Sequence, residues 1–337
     1  MHRSSFRRLG RGFLAAAALL AIAAPARAED DHVLLALPTD GMQFLAYYVA
    51  DDLGIFAAEQ LEVKHQVLPG IASFNAVVSN SAEFAFASGA SITRAAAHGQ
   101  RMLAIAQMNN VPAWDVVLRK DIADAAHFDP SAPLAERAKI LQGRVMGTQG
   151  INALDHAYLR VVTRLGGDPE NMTVSAMAPV DTLAAFARHA IDGFVSAPPW
   201  PQQVEDDGSG VAVASGPKGE PASLLPIASG LVVTRPQLCV DRRALCEKMG
   251  HAMLLAAKAA HERPKDVLAV LAKRFPSIKP SVLERSQQLL IAGTPIMPAV
   301  DPAAIRKGDE LNVDAGFMKP GDMLPSYDGL STNEFLK

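Results

Sequence analysis

The chain has 337 residues, 49% of them hydrophobic, with a mean hydropathy of +0.12 and 32 Lys+Arg against 35 Asp+Glu. A chain of this size can bury one large core or two moderate ones. Its slightly acidic balance, with no basic run in the body of the chain, excludes a nucleic-acid-binding surface and an electrostatic hold on anionic membranes.

Arg3, Arg7, Arg8 and Arg11 make a basic start, GFLAAAALLAIAA is an apolar run, and Ala26-Arg27-Ala28 is an A-x-A cleavage site. Residues 1–28 therefore read as a cleaved signal peptide. The apolar run is too short for a permanent anchor, and no later stretch approaches membrane-spanning length. SFRRLGRGF contains an arginine pair but is a poor twin-arginine signal, so general export, into a bacterial periplasm, is expected. With the five arginines of this segment removed, 27 basic residues face 35 acidic ones, a net charge of −8.

From Val33 the chain reads strand VLLAL, turn PTDG, helix QFLAYYVADDLG, strand LEVKHQVL and then PG. The helix IASFNAVVSN, the strand EFAFA, the turn SGAS and a helix closing at Gly99 follow. From Arg144 the order recurs: strand RVMGT, turn QGIN, helix ALDHAYLRVVTRLGG, strand MTVSAM, then AP, helix VDTLAAFARHA, strand IDGFV and turn SAPPW. A shift of 109 residues places Phe74 on Leu183, Val77 on Phe186, Glu83 on Asp192 and Ala85 on Phe194. Helical apolar spacing alternating with short apolar runs predicts βαβ units and parallel sheets, in two similar domains.

Between the copies, the second half of QMNNVPAWDVVLRKD reads as a strand. After the second copy come a loop, SGPKGEPASLLPIASG, a strand, LVVTR, and three helices: DRRALCEKMGHAMLLAAKAAHER, PKDVLAVLAKRF and PSVLERSQQLLIAG. The stretch from Asp301 has too little apolar spacing for a core of its own and is expected to wrap back over the first domain. The two strands near 113–119 and 229–235 are expected to connect the domains. Cys239 and Cys246, close in sequence in an exported chain, are expected to form a disulfide between a strand end and a helix start. Without histidines at suitable spacing they do not read as a metal site.

The signal peptide, GMQFLAYYVADDLGIFAAEQLEVKHQVLPG, SAEFAFASGAS and AIDGFVSAPPW together resemble the periplasmic solute-binding proteins of ABC importers. The similarity is to the nitrate, sulfonate, taurine and thiamine-pyrimidine-precursor binders, and it runs over about residues 32–330. The resemblance implies a two-lobed α/β fold of the type II periplasmic binding class, each lobe a mostly parallel sheet flanked by helices, joined by two hinge strands. Lobe one would comprise residues 29–117 and 226–337, with lobe two, 118–225, inserted. A small molecule would be clamped between the lobes and delivered to a membrane permease. A monomer without cofactor or metal is expected. A periplasmic sensor for a membrane receptor is the alternative. A third reading, an enzyme of a pyrimidine-synthase branch, lacks that branch's cysteine cluster. HExxH, GxSxG, P-loop and GxGxxG motifs are also missing.

In open parallel sheets, ligands bind beyond the carboxyl ends of strands, beside helix N-termini. Six segments qualify: PTDGMQF, PGIAS, SGAS, MNNVPAW, QGINALDH and SAPPW. From them the candidate ligand-binding residues are Thr39, Asp40, Met42, Phe44, Ser73, Ser88, Ser91, Asn109, Asn110, Trp114, Gln149, Asn152, Asp155, His156, Pro199 and Trp200. The short polar ones suit helix capping, and turns of that kind bind anionic or carbonyl oxygens through backbone N–H groups. Pro198 and Pro199 would hold the turn rigid, with Trp200 presenting its ring or N–H to the ligand. These loops contain no Lys or Arg, whereas a bare anion would call for a cation. A neutral, zwitterionic or weakly anionic organic ligand with a flat portion is therefore expected.

Overall fold

The run DHVLLAL forms β1 (Asp31–Leu37), the first element of the computed structural model, which describes residues 31–337. The expected signal peptide, residues 1–28, lies outside the described residues. Helices α1 (Leu45–Asp52) and α2 (Ile55–Ala58), β2 (Leu61–Val67), α3 (Ile71–Val78), β3 (Phe84–Ala87), α4 (Gly89–Ala97) and β4 (Leu103–Asn109) follow. Next come β5 (Asp115–Arg119), α5 (Lys120–Ala125), α6 (Leu134–Ala138), β6 (Val145–Thr148), α7 (Leu154–Gly166) and β7 (Thr173–Ala176). They continue with α8 (Pro179–Ala187), β8 (Gly193–Ser196), α9 (Trp200–Asp206) and β9 (Gly210–Ser215). The remainder is β10 (Gly230–Thr234), α10 (Pro236–Asp241), α11 (Arg243–Glu262), α12 (Pro264–Arg274), α13 (Pro280–Gly293) and α14 (Pro302–Asp314).

Two five-stranded sheets result, with orders β2-β1-β3-β10-β4 and β7-β6-β8-β5-β9. They share one plan: three parallel strands, then an antiparallel fourth, then a fifth strand antiparallel to the fourth. Four of five strands in each sheet thus run the same way. Successive side chains leave a strand on opposite faces. Val33, Leu35 and Leu37 enter a core with Tyr47 of α1 and Met249 of α11. Ala36 enters the other with Phe74, Ile92 and Ile305. The second sheet divides likewise, with Val116 and Leu118 on one face and Val117 on the other. The edge strand β2 is mostly exposed and carries Glu62 and Lys64, a charged edge that discourages strand addition.

The internal repeat extends to individual hydrogen bonds. Before β3, Glu83 Oε2 accepts the backbone N–H of Leu34 at 2.8 Å. Before β8, Asp192 Oδ2 accepts that of Val145 at 2.9 Å. Both carboxylates tie the start of a third-position strand to the neighbouring strand, and the two residues are those aligned by the 109-residue shift.

Several local expectations are corrected. LAIAQMN, passed over in the sequence, is strand β4, and five of its residues are buried. A strand buried on both faces shows no alternation. The strands expected as connections each belong to one sheet, β5 to the second and β10 to the first. The chain passes between sheets just before them, at 110–114 and 216–229. Cys239 and Cys246 are bonded, with Cα atoms 5.5 Å apart, but they join two helices, α10 and α11, rather than a strand end and a helix.

The stretch from Asp301 contains α14, whose start is marked by Asp301 accepting the N–H of Ala303 at 2.8 Å and by Pro302 in the first turn. The helix lies close against α4: a Cβ on Gly308 would sit 2.4 Å from Ala90 N, so only glycine fits there. Ala304 and Ile305 enter the first sheet's core, whereas Leu311 and Ala315 enter the second's. The wrapping segment therefore reaches both sheets. Beyond it, Leu330, Phe335 and Leu336 return to the first sheet's cores.

Candidate functional site

The five residues 110–114 run from the carboxyl end of β4 to Asp115, the start of β5. Asp115 pairs across the sheet with Ser196 and Ser215, the carboxyl ends of β8 and β9. Five residues span less than about 18 Å even when extended, so the carboxyl edges of the two sheets must adjoin. They touch directly. The N–H of Met42 donates to Pro198 O at 3.2 Å, joining the loop after β1 to the loop after β8. Arg94 of α4 donates to Asn152 O in the loop after β6 at 2.8 Å. Trp200 packs against cores of both sheets.

On the first edge, Asp40 is exposed and Thr39 half-buried, with its hydroxyl on Asp40 O at 3.4 Å. Met42 and Phe44 do not line the gap. Their side chains are buried in the first core, Phe44 edge-on to Phe86 at 5.2 Å. Ser73 donates back to Gly70 O at 3.1 Å within its own turn. Ser88 caps α4, accepting Ser91 N–H at 3.1 Å, and the two hydroxyls are 2.9 Å apart. Asn109 abuts Gly230, and the half-buried Asn110 keeps its Oδ1 without a partner among the described residues.

On the second edge, Gln149 Nε2 donates to Ser196 Oγ at 3.2 Å. Asp155 is spent internally, accepting Thr148 Oγ1 and the N–H of Gln149, and burial pushes its carboxyl above the usual range. His156 Nδ1 accepts the N–H of Asn152 at 3.0 Å, and its ring lies 5.0 Å from that of Phe317. Burial, followed by the nearby Arg160 charge, pulls it down to about 4, so it is a neutral cap at physiological pH. Asn152 is exposed with φ of 60°, a left-handed conformation that asparagine tolerates. Trp114 is 9% exposed and belongs to the second sheet's core, not to the gap. Pro199, buried, follows a cis peptide at Pro198, and Trp200 opens α9 half-buried, with its Nε1 unpartnered among the described residues.

Sequence reasoning missed four residues of this edge. Asp115 begins and Ser215 ends a strand of mostly apolar residues, Ser196 stands in the qualifying segment SAPPW without being singled out there, and Gln202 lies inside α9. Gln202 Nε2 donates to Asp115 Oδ2 at 2.6 Å. The cation not found in the loops is Arg94, one turn further into α4 than the candidate Ser91; burial lowers its pKa, and its acceptor is a carbonyl rather than a carboxylate. Outside the edge, α9 is tied to α13 by Arg285–Glu205 at 2.7 Å and Lys279–Asp206 at 2.9 Å. Two surface cavities, of about 390 and 430 Å³, lie elsewhere, around Phe128 and Ile140 and around His251. Among the described residues no group of His, Cys, Asp and Glu is arranged to hold a metal, and no helix is long and apolar enough to cross a membrane.

A family model described as NMT1/THI5 like matches residues 42–267. No curated protein matches the chain in sequence. Among solved structures, a protein of Bordetella bronchiseptica RB50 superposes with a TM-score of 0.72 at 16% identity, covering 91% of this chain and 96% of that one. The alkanesulfonate-binding protein SsuA from Xanthomonas axonopodis pv. citri, bound to MOPS, gives 0.68 at 17% identity, covering 91% and 100%. The periplasmic nitrate-binding protein NrtA from Synechocystis PCC 6803 gives 0.66 at 15% identity, covering 90% and 84%. At these identities the likeness is one of fold: the two-lobed α/β architecture of periplasmic binding proteins.

Proposed function

The chain belongs to the NMT1/THI5-like family, and from that premise we propose that it is a periplasmic solute-binding protein that hands its ligand to an ABC permease. The observation that carries this reading is the meeting of the two carboxyl edges. Sheets of one plan present Asn110 and Arg94 from one side and Gln149, Ser196, Asp115 and Trp200 from the other. A solute between them would be desolvated on closure by polar groups already positioned, with Trp200 offering a ring face. The lobes, expected as residues 29–117 with 226–337 and residues 118–225, would divide at the two passages, 110–114 and 216–229, so that all of β5 goes with the inserted lobe, and rock about them. The solute is a small organic molecule with a flat portion, neutral, zwitterionic or weakly anionic: a sulfonate, carboxylate or pyrimidine-like compound. The protein acts as an exported monomer and leaves the solute unchanged.

The test is a panel of sulfonates, carboxylates, pyrimidines and amino acid derivatives, screened by thermal shift and followed by calorimetry. A binder gains stability by mass action, saturates at one solute per chain and returns it intact. Conversion of any hit into a new compound would overturn the reading.

A further inference from the structure

Three side chains on the second edge are buried with an oxygen left over. Asp115 is 2% exposed, Gln202 1% and Ser215 5%. They converge from β5, α9 and β9 at the carboxyl edge of the second sheet. Asp115 Oδ2 takes the Gln202 amide at 2.6 Å, but Asp115 Oδ1, Gln202 Oε1 and Ser215 Oγ have no hydrogen-bond partner among the described residues. Ser215 is the cross-strand partner of Asp115, and its hydroxyl lowers the carboxyl's pKa as a donor does, at a geometry short of a full hydrogen bond. A buried acceptor without a donor is costly, and a carboxylate with a free oxygen most of all. Elsewhere Asp155 holds a hydroxyl and an N–H, and Asp309, which also leaves its Oδ1 without a partner among the described residues, holds Tyr327 Oη and Leu324 N–H on Oδ2, away from the facing edge. Asp115 differs in standing at the facing edge, within a set whose unused atoms are chiefly acceptors.

We propose that Asp115, with Gln202 and Ser215, seats a protonated nitrogen of the solute, an ammonium or amidinium group, so that the ligand is a nitrogen-bearing molecule rather than a bare anion. This rests on the solute-binding reading and narrows it. An N–H-rich cation satisfies several acceptors at once and neutralises the buried charge. Lys218 and Glu205 are the charged groups that bear on Asp115 from neighbouring elements, with the Tyr158 hydroxyl also near, and neither charge is hydrogen-bonded to it. Burial raises the Asp115 carboxyl to about 6, opposed mainly by Ser215, so a cation that holds it ionised displaces a proton near that pH.

The experiment uses the mature protein stripped of ligand and probes in matched pairs that differ by a protonated nitrogen: taurine with ethanesulfonate, β-alanine with propionate, and benzamidinium with benzamide. In at least one pair the nitrogen-bearing member should bind tenfold or more tightly than its partner. Asp115→Asn should reduce that preference below about twofold, with the larger loss falling on the nitrogen-bearing member. Because the variant could alter folding, the wild type supplies a second readout. Calorimetry at pH 6 in buffers of different ionisation enthalpy should show proton release with the nitrogen-bearing probe. If the nitrogen-free members bind as well or better, this inference falls and the solute-binding reading stands. Preference that survives in Asp115→Asn, or binding without proton release, also overturns it. If no probe of either kind binds, the inference fails and the solute-binding reading loses its support.

Discussion

Asp115→Asn in the ligand-free protein offers a sharp check on the electrostatics of the facing edge. Burial moves this carboxyl from its ordinary 3.8 to about 6, with Ser215 and Gln202 opposing and Glu205 adding to the rise. The folded state therefore holds the proton more tightly than the unfolded chain does, and folding stability falls as pH rises from about 4 to 6. One pKa unit corresponds to about 1.4 kcal/mol, so ionised Asp115 costs about 3 kcal/mol at pH 7.5 and about 1 kcal/mol at pH 4.5. Asparagine keeps the shape and can still accept the Gln202 amide, but it carries no charge. The variant should gain about 2 kcal/mol relative to wild type between pH 4.5 and 7.5, read from urea unfolding at both pH values. Asp155, which is also raised, and His156, which is lowered, are common to both proteins and cancel in the comparison. A stability difference independent of pH would refute the reasoning, as would a variant that loses ground as pH rises.

Trp200→Ala should lower stability by about 2–4 kcal/mol, since the ring packs against cores of both sheets. It should also weaken solute binding about tenfold per folded molecule; titration that shows unchanged affinity would remove the ring from the site. Mass spectrometry of exported protein without reductant should find the chain two hydrogen atoms lighter than its reduced form. Replacing Cys239 and Cys246 together with serine should cost about 2–3 kcal/mol on the loop-entropy account, measured by chemical denaturation. Arg94→Met removes the hydrogen bond to Asn152 O while keeping the aliphatic stem. Being only half-buried, that contact should contribute about 1 kcal/mol to the closed form. Affinity should fall several-fold with little change in ligand-free stability, and an equal loss in both would make Arg94 a purely structural residue.

The alternation of helical spacing with short apolar runs was enough to read two α/β copies and to align Glu83 with Asp192, but the hydrogen bond that each makes appears only in the folded chain. Spacing and alignment are local, or repeat at a fixed separation, and sequence preserves both. The loops after β1, β3, β6 and β8 were legible for the same reason, since strand ends and caps are marked by Pro, Gly, Ser and Asn, whereas the passages lie just before the strands expected to form them. What those loops do with their side chains was decided by the partners they meet. Ser88 and Asp155 turn inward to cap and staple their own turns, while Met42, Phe44 and Trp114 sink into the cores. Asp115 and Ser215 begin and end apolar strands, and no local pattern announces them. They converge with Gln202 only because β5 is inserted, antiparallel, between two strands that lie much further along the chain, Asp115 pairing with Ser196 and Ser215. Residue type and spacing determine which elements form, since those depend on neighbours in sequence. Which carboxylate stays unpaired and which helix spans both sheets depends on contacts across long separations, and these exist only once the chain has packed.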